Sequence, residues 1–321
     1  MYKRQVSESD ARLGADVLVF ADSRGIDTHG VSNALRGYVR NYLSGTCNSR
    51  PKNSIIKSTP STAVVDGDNG LGLMTAPFGM NIAIEKAKNT GIGVVSIRNS
   101  NHLGPAGYHA MMALEHDMIG WCMTGGGKAM VPTFGAEAQL GTNPIAFAAP
   151  TNKEAPFIFD AAMSSIAAGK ITLARRLGQP MEPGWIANKD GTPNKESTPS
   201  HHSSQSKTST GLEMQLPLGS TRELGSHKGY GLGVMVDILS GQLSFATGFA
   251  SLDEDRRAHF VAAYAVSAFG DVEEFKNNMD GMLRGLSETK PMPGTSRVLS
   301  VSYTHLRAHE TRHDLVCRLL L

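Results

Sequence analysis

The feature that most constrains how this 321-residue chain folds is a regular alternation of short apolar runs with segments of helical periodicity. The run from Val94 to Ile97 is mostly β-branched and apolar, which is typical of a buried strand. It lies between segments 73–89 and 105–116, in which apolar residues recur at helical spacing. Strands that alternate with helices indicate helices packed in layers on a sheet, so we predict a mixed α/β fold.

The same patterns assign the other elements of the chain. Ser7 is predicted to be the N-cap of the first helix, and Gly45 is predicted to close the second. Helices are predicted at residues 7–24, 31–43, 73–89, 105–116, 164–177, 230–243 and 272–286, and strands at residues 62–66, 91–98, 119–123, 145–148, 157–159 and 259–269.

Composition excludes several classes of protein. Hydrophobic residues make up 40% of the chain, which is enough for a sizeable core. No run approaches the roughly 20 apolar residues of a membrane span, and no secretory-type apolar segment follows Lys3 and Arg4. Cys47, Cys122 and Cys317 have no metal-binding or redox spacing. We therefore predict a cytoplasmic protein with reduced thiols and no membrane partner.

Both ends of the chain have sequences that we expect to be non-native. Residues 2–5 can be encoded by a DNA element whose reverse complement, read in another frame, gives Val-Ser-Tyr, the start of segment 301–321. The two segments resemble translated sequencing adapters, so we predict that residues 1–5 and 301–321 are adapter-derived. Without them the formal net charge of +2 becomes slightly negative, and no nucleic-acid partner is expected.

Polar residues collect where the predicted strands end, which is where ligands bind in many α/β proteins. Residues 99–102, which end in His102, follow one strand, and residues 124–128 follow another. Residues 160–165 follow a third strand, and residues 141–144 come just before a strand. These segments predict a polar cleft that contains a histidine.

Each of these segments also has an interpretation without function. A lone histidine at a strand end such as His102 is commonly a structural residue, the glycines are consistent with a simple turn, and Asp160 is consistent with a helix cap. The glycine run ending in Lys128 is not a Walker loop, because Ala129 stands where Ser or Thr is required. No Rossmann fingerprint is present either. The patterns alone therefore indicate an α/β enzyme with a histidine in its cleft.

Two further segments allow a metal site as an alternative. Asp27 and His29 could bind a metal with His102, which would make the protein a histidine-based metallohydrolase. The Ser/Thr-rich segment 194–211 is predicted to be a mobile loop. Its His201-His202 pair has no third ligand at a suitable spacing, so we do not predict a metal there.

Six segments together resemble one known family, although each is weak alone. They occur in the same order over roughly residues 7–299 and are similar to the malate/L-lactate dehydrogenases of the non-Rossmann type, a family that includes L-sulfolactate, ureidoglycolate and piperideine-2-carboxylate oxidoreductases. The segments are DTHGVSNALRGYV, NSNHLGPAGYHA, LGTNPIAFAAP, DAAMSSIAAGK, GWIANKDGTP and GSHKGYGLGVMVDILSG.

The resemblance implies a fold and an organisation of domains. The fold is an α/β (α+β) one, a non-Rossmann mixed sheet with flanking helices plus a smaller helical domain. Residues 6–60 together with 245–300 would form the helical, dimer-associated domain, and residues 61–244 the mixed-sheet domain that binds NAD(P) and substrate. Members of the family carry further chain before Ser7 and after Leu299, so we expect the helical domain to be truncated at both ends. A homodimer is expected for the intact protein.

The resemblance also implies which residues handle the substrate. His102 stands at the position of the family's general acid/base, a role that suits an imidazole because its unperturbed pKa lies near neutrality. His29, Arg36 and Tyr38 are expected to face the substrate, with Arg36 pairing with its carboxylate. A solvated helix face for Arg36 and core packing for Tyr38 remain open alternatives.

The remaining site residues implied by the resemblance concern the cofactor, NAD or NADP. Glycine backbone could approach its phosphate or ribose, and Lys228 at a helix entrance could neutralise a phosphate, although a surface lysine is also possible. No metal is predicted. The expected cofactor-binding residues are Gly125, Gly126, Gly127, Thr142, Asn143, Asp160, Ala161, Ala162 and Lys228.

The predicted function is hydride transfer between NAD(P) and C2 of a small 2-hydroxy or 2-oxo acid such as malate, lactate or sulfolactate. Two alternatives stay open beside the metallohydrolase. One is a reductase of a cyclic 2-imino acid, and the other is a truncated fragment that binds dinucleotide without turnover.

Overall fold

The computed structural model describes residues 6–199, 213–246 and 257–298. The predicted adapter-derived ends and most of the predicted loop 194–211, with His201 and His202, lie outside these residues. The helices are α1 Glu8–Ser23, α2 Val31–Ser44, α3 Gly72–Thr90, α4 Ala106–Met111, α5 Ala168–Leu177, α6 Ser226–Asp237 and α7 Val272–Ser287. The strands are β1 Ser54–Ser58, β2 Thr62–Gly70, β3 Ile92–Ser100, β4 Met118–Gly125, β5 Ile145–Ala149, β6 Phe157–Ala161 and β7 Arg257–Ala265.

The chain begins with two packed helices whose ends follow local sequence signals. The Ser7 side chain accepts a hydrogen bond from the backbone N–H of Asp10 at 3.1 Å, which caps α1 as predicted. Gly45 adopts the left-handed conformation with φ of 80° and ends α2. The two helices pack with the start of α3 around Val17 and Tyr38, which are both buried.

All seven strands of the described residues form one mixed sheet, in the order β1-β2-β3-β7-β4-β5-β6. β2 and β3 are parallel, and the other neighbouring pairs are antiparallel. The predicted mixed sheet with flanking helices is therefore confirmed. β7 comes last in sequence but lies at the centre, between the strand that precedes His102 and the strand that precedes the glycine run.

Helices cover both faces of this sheet. Val261 and Ala263 of β7 pack on the side of α3 and α4, whereas Phe260 and Ala262 pack on the side of α6. α3 lies very close to β3, because a Cβ at Gly93 would be 1.8 Å from the backbone oxygen of Ala83. The central strands are thus buried on both faces, and only the connections at their ends are open to a ligand.

Most predicted elements are present, with shifted ends. The predicted helix 164–177 begins only at Ala168, and the predicted helix 230–243 begins four residues earlier, at Ser226. Beyond Asp237 that helix continues as a π-helical turn. α4 passes into a 3-10 turn after Met111, and β7 ends at Ala265, before a further 3-10 turn. β1 was not predicted, because all five of its residues are exposed and show no alternation.

One part of the predicted domain division is wrong. Residues 257–265 were assigned to the helical domain, but they form the central strand of the sheet, because β7 pairs with both β3 and β4. α7 is also tied to the sheet region: the Asp280 carboxylate accepts hydrogen bonds from the backbone N–H groups of residues 152–154, in the β5–β6 connection. The assignment of the other segments stays a prediction. Among the described helices, none has the length and apolar character needed to cross a bilayer.

Candidate active site

A cavity of about 600 Å³ lies where β3, β4 and β6 end and the N-terminal helices meet the sheet. Its volume is in the range of small-molecule sites. It is lined by Ile26, Thr28, His29, His102, Gly104, Pro105, Ala106, Thr124, Gly126, Gly127, Lys128, Ala129, Gly141, Thr142, Asn143, Pro144, Asp160, Ala162, Ala167, Ala168, Gly169 and Arg257. All four polar segments singled out from the sequence therefore contribute residues to one space, although only segment 141–144 lines it in full.

His102 lies two residues beyond the end of β3 and opens on to this cavity. Its Nδ1 is 2.6 Å from the hydroxyl oxygen of Tyr38 and accepts a hydrogen bond from the backbone N–H of Gly104 at 3.1 Å. The ring is accessible to solvent through the cavity. Since Nδ1 is held on the protein side, Nε2 is the nitrogen that remains for a ligand.

The surroundings of His102 favour the neutral imidazole. Enclosure by the protein lowers its pKa well below 6.5, and the neighbouring His29 ring and Arg257 guanidinium lower this pKa further because they disfavour a positive charge on His102. At pH 7 the ring is uncharged, with one nitrogen protonated and the other able to accept a hydrogen bond.

His29 stands directly opposite, in the connection between α1 and α2. Its ring stacks on that of His102 with centroids 5.3 Å apart and planes 13° apart. The Thr28 hydroxyl oxygen lies 2.7 Å from His29 Nδ1, and burial lowers the pKa of His29 to about 4. The cavity therefore contains two stacked neutral imidazoles, each fixed through its Nδ1.

The small polar residues before His102 have structural partners. The amide of Asn99 donates to Asp66, and that of Asn101 donates to the backbone oxygens of Asn69 and Gly70. These bonds fix the connection between β3 and α4, so the histidine is presented by a rigid segment.

Ser100 belongs to a buried network centred on His259 of β7, which is fully buried. His259 Nε2 is 2.9 Å from the Ser100 hydroxyl, and its Nδ1 is 2.8 Å from the hydroxyl of Thr124. The Ser100 hydroxyl also lies 2.6 Å from that of Thr75 in α3. His259 thereby joins the end of β3, which precedes His102, to the end of β4, which precedes the glycine run.

The glycine run and the segment before β5 form the opposite wall. Gly126 and Gly127 have φ of 114° and 83°, conformations that side chains disfavour. The Asp237 carboxyl of α6 lies near both segments: burial raises its pKa, while the neighbouring Asn143 side chain and Gly126 backbone oppose this shift. α6 therefore lies directly behind this wall of the cavity.

Asn143 has one polar atom that its surroundings leave unsatisfied. Its Nδ2 donates to the backbone oxygen of Gly233 at 2.8 Å. Its Oδ1 is buried and has no hydrogen-bond partner among the described residues. Since a buried acceptor without a donor costs free energy, this atom fits a ligand that carries an N–H group.

Asp160 at the end of β6 brings a carboxyl group to the cavity. It accepts a hydrogen bond from the backbone N–H of Gly107 at 2.7 Å. Burial raises the pKa of Asp160 to about 6, although the bond from Gly107 opposes the shift. The group is therefore mostly ionised at pH 7 and becomes protonated in mildly acidic solution.

Two cations line the cavity among the described residues, Lys128 and Arg257. Arg257 is the first residue of β7 and lies against Gly127, since a Cβ at that glycine would be 2.9 Å from its guanidinium. Its charge also acts on His102, His259 and Asp237. An anionic ligand would thus meet positive charge close to the stacked imidazoles.

The structure brings most of the predicted site residues together, but not all. Arg36 and Lys228 are exposed on α2 and α6 and do not line the cavity. Tyr38 does not line it either, but it is buried and contacts His102 directly. Gly125 and Ala161 also lie outside the lining; a Cβ at Gly125 would meet the side chains of Asp237 and Ser240 at 2.5 Å.

Sequence reasoning missed Arg257, Asp237 and His259. Each lies in a predicted strand or helix or just before one, where polar residues at the ends of elements are common. Of these three residues, only His259 could have been noticed in the sequence, because it begins the otherwise apolar strand segment HFVAAYA. Among the described residues, no group of three or more His, Cys, Asp or Glu side chains could hold a metal ion.

Comparisons with known proteins give a consistent result. A family model described as malate/L-lactate dehydrogenase matches residues 1–314. A malate dehydrogenase of Pyrococcus abyssi is 43% identical over 297 residues, which cover 91% of this chain and 79% of that protein. An L-sulfolactate dehydrogenase of Methanocaldococcus jannaschii is 38% identical over 295 residues, covering 90% of this chain and 80% of that protein.

More distant relatives and a solved structure agree with these matches. An NAD(+)-dependent ureidoglycolate dehydrogenase of Escherichia coli strain K12 is 31% identical over 294 residues, covering 88% of this chain and 78% of that protein. The crystal structure of a malate dehydrogenase from Entamoeba histolytica superimposes with a TM-score of 0.89 at 35% identity, covering 98% of this chain and 88% of that one. With a family match over nearly its whole length and the same fold, this chain belongs to the malate/L-lactate dehydrogenase family.

Proposed function

We propose that this chain transfers a hydride between NAD(P) and C2 of a small 2-hydroxy or 2-oxo acid of the malate type. The observation that carries the proposal is the position of His102, whose Nε2 faces a cavity shared with the glycine run and Asn143. A proton-exchanging group, a place for a dinucleotide and positive charge for an acid are therefore adjacent.

The residues around the glycine run fit a nicotinamide cofactor. The unsatisfied Oδ1 of Asn143 matches the N–H donors of a carboxamide. The backbone of Gly126 and Gly127 lines the cavity and carries no side chain of its own, so a phosphate or ribose can approach it closely. When bound, the nicotinamide supplies or takes the hydride, so the protein itself needs no redox group. Asp160 is placed to accept from a hydroxyl or amide group of the ligand.

His102 performs the proton chemistry in this proposal. During reduction Nε2–H donates a hydrogen bond to the oxygen on C2 of the substrate. When the hydride arrives, this proton moves to the oxygen, and the ring stays neutral because Nδ1 takes up the proton of the Tyr38 hydroxyl. During oxidation the protons move in the reverse direction: Nε2 receives the proton of the substrate hydroxyl group while Nδ1 returns a proton to the Tyr38 oxygen. His29 closes the other side of the space by stacking on His102, which limits how the substrate can lie.

In this proposal Arg257 binds the substrate carboxylate. It lines the cavity, and its charge reaches the His102 ring, whereas the predicted Arg36 lies outside the cavity. Lys128 supplies a second positive charge on the same wall. Two cations suit an acid with a second anionic group, as in malate or sulfolactate, better than lactate.

The full chain, assayed with NADH and with NADPH, tests this proposal. Oxaloacetate, sulfopyruvate, pyruvate and piperideine-2-carboxylate are supplied in turn, with and without EDTA. We expect the highest kcat/KM for a dianionic 2-oxo acid and no effect of EDTA. Turnover of only the cyclic imine would establish the reductase alternative. Activity lost in EDTA would contradict the metal-free reaction proposed here. NADH binding without turnover would indicate a non-catalytic fragment.

Three predictions from the sequence remain proposals beside this function. The cofactor preference between NAD and NADP would be decided by the same assays. A homodimer would be detected by sedimentation velocity as a species of twice the chain mass. A cytoplasmic location would be detected by fractionation of cells that express the protein.

A further inference from the structure

Two hydrogen-bond donors converge on a single atom, Nδ1 of His102. The backbone N–H of Gly104 points at this nitrogen from 3.1 Å, and the Tyr38 hydroxyl lies 2.6 Å from it. The N–H of a backbone amide can only donate, whereas a tyrosine hydroxyl can donate or accept. The Gly104 contact therefore decides the roles: Nδ1 carries no proton, and Tyr38 must donate.

A neutral imidazole has one protonated nitrogen, so the proton of His102 must be on Nε2. That nitrogen lies on the side of the ring that opens on to the cavity, while Nδ1 faces the backbone and α2. The accessible atom of the ring is thus a hydrogen-bond donor in the ligand-free protein.

From this geometry we propose that Tyr38 is a positioning residue that, together with the Gly104 N–H, holds His102 as the Nε2–H tautomer and fixes the angle of its ring. The inference builds on the proposed function in one respect: a fixed Nε2–H suits the polarisation of a 2-oxo group before reduction. It replaces the predicted role of Tyr38 in substrate binding by one exerted through His102. No bond is made or broken in this arrangement, because it describes the state before the hydride moves.

The position of Tyr38 supports a role of this kind. Its side chain is buried among Val17, Leu18 and Leu71, and it does not line the cavity, so it cannot touch a substrate without moving. Burial also raises the pKa of its hydroxyl, which keeps the group protonated and able to donate. The groups around the His102 ring are the stacked His29, the Tyr38 hydroxyl and the charge of Arg257.

The tautomer can be measured without any substrate. The full chain is produced with ¹⁵N-labelled histidine, and the His102 signals are assigned by their loss in His102→Gln. At pH 7 we expect the ¹⁵N shift of an unprotonated Nδ1 and that of a protonated Nε2. The reverse pattern, with a proton on Nδ1, would overturn the inference.

The role of Tyr38 is tested by Tyr38→Phe, which keeps the ring and removes only the hydroxyl. We expect the His102 ¹⁵N shifts to move toward a mixture of the two tautomers. We expect kcat for 2-oxo acid reduction to fall about tenfold, with KM for the cofactor within a factor of two. Tyr42→Phe is the matched control, because Tyr42 packs against the same cluster of α2 without a hydrogen bond to His102, and both readouts should stay unchanged.

The two readouts separate failure of this inference from failure of the proposed function. If the ¹⁵N shifts are as expected but no 2-oxo acid is turned over, the proposed function fails and the tautomer assignment stands. If reduction proceeds but Tyr38→Phe changes neither the shifts nor kcat, the positioning role is refuted.

Discussion

Two histidines lie at the ends of neighbouring strands in one polar region, and their surroundings differ in one respect. His259 at the centre of the sheet is fully buried, and both of its ring nitrogens meet hydroxyl groups, those of Ser100 and Thr124. His102, beyond the end of the neighbouring strand, has partners only at Nδ1 and opens on to a cavity. The pKa of each ring is lowered by the surrounding protein, so both are neutral at pH 7.

The difference shows what separates a structural histidine from a reactive one. A ring whose hydrogen bonds are complete stabilises the fold, because its polar atoms are satisfied away from water. A ring with one nitrogen left open can exchange a proton with a ligand. In this protein the first kind holds in place the strand ends that present the second.

The largest effect on activity is expected for substitution of His102, the histidine that opens on to the cavity. His102→Gln should lower kcat for 2-oxo acid reduction about 10³-fold, because general acid–base catalysis typically contributes 10²–10⁴. The dissociation constant for NADH, from nicotinamide fluorescence, should change less than threefold. His116→Gln, which alters an exposed histidine on the same connection to β4, is the control and should leave kcat unchanged. Full activity of His102→Gln would show that His102 is not the reactive histidine of this site.

Substitution of His259, whose two ring nitrogens both have partners, should lower stability rather than activity. His259→Leu leaves the hydroxyls of Ser100 and Thr124 without their buried partner, which should cost about 3 kcal/mol of unfolding free energy. Urea unfolding followed by tryptophan fluorescence measures this cost. His102→Gln should lose less than half as much, since its ring faces the cavity. Equal losses in the two variants would remove the distinction between the sites.

Asp160 offers a pH test within the cavity. Its pKa is raised from 3.8 to about 6 in the folded protein, so the folded state holds a proton that the unfolded state releases between these values. The contribution to stability is therefore full below about pH 4 and is lost as the pH rises through 6. Allowing for partial exposure of the group, the loss is about 2 kcal/mol.

Asp160→Asn should remove this pH dependence while keeping an acceptor for the Gly107 N–H. We expect a higher midpoint of thermal unfolding than in the parent protein at pH 7.5 and an equal midpoint at pH 4. An equal difference between the two proteins at both pH values would show that Asp160 does not titrate in this range.

Arg257 lies two residues before His259 in the chain but lines the cavity at His102. Arg257→Gln should raise KM for the 2-oxo acid about tenfold, because a charged hydrogen bond contributes about 1.5–3 kcal/mol. Arg36→Gln, on the exposed face of α2, should change the same KM less than twofold. The reverse order of effects would restore the assignment made from the sequence and place the carboxylate near α2.

The sequence predicts local elements of this fold well and their arrangement poorly. Helical periodicity and the caps at Ser7 and Gly45 locate α1 and α2 closely, because these signals are local. The central position of β7 could not be read from the chain, since pairing between distant strands leaves no local pattern. The exposed β1 lacks the alternation that identifies a half-buried strand.

The same limit applies to the site. His102 and the glycine run could be found because polar residues after apolar strands are visible in the sequence. The partners that define their chemistry are remote: Tyr38 is 64 positions from His102, and Ser100 is 159 positions from His259. Arg36 and Lys228 were chosen as cations near suggestive motifs, but both lie on exposed helix faces outside the cavity.

A crystal structure of the full chain with NADH and oxamate, an unreactive analogue of a 2-oxo acid, tests the central claim most directly. We predict that the nicotinamide ring lies against Asn143 and the Gly126–Gly127 backbone, and that His102 Nε2 is about 2.6–3.2 Å from the analogue's oxygen. A nicotinamide bound elsewhere, or a histidine ring turned away from that oxygen, would contradict the account.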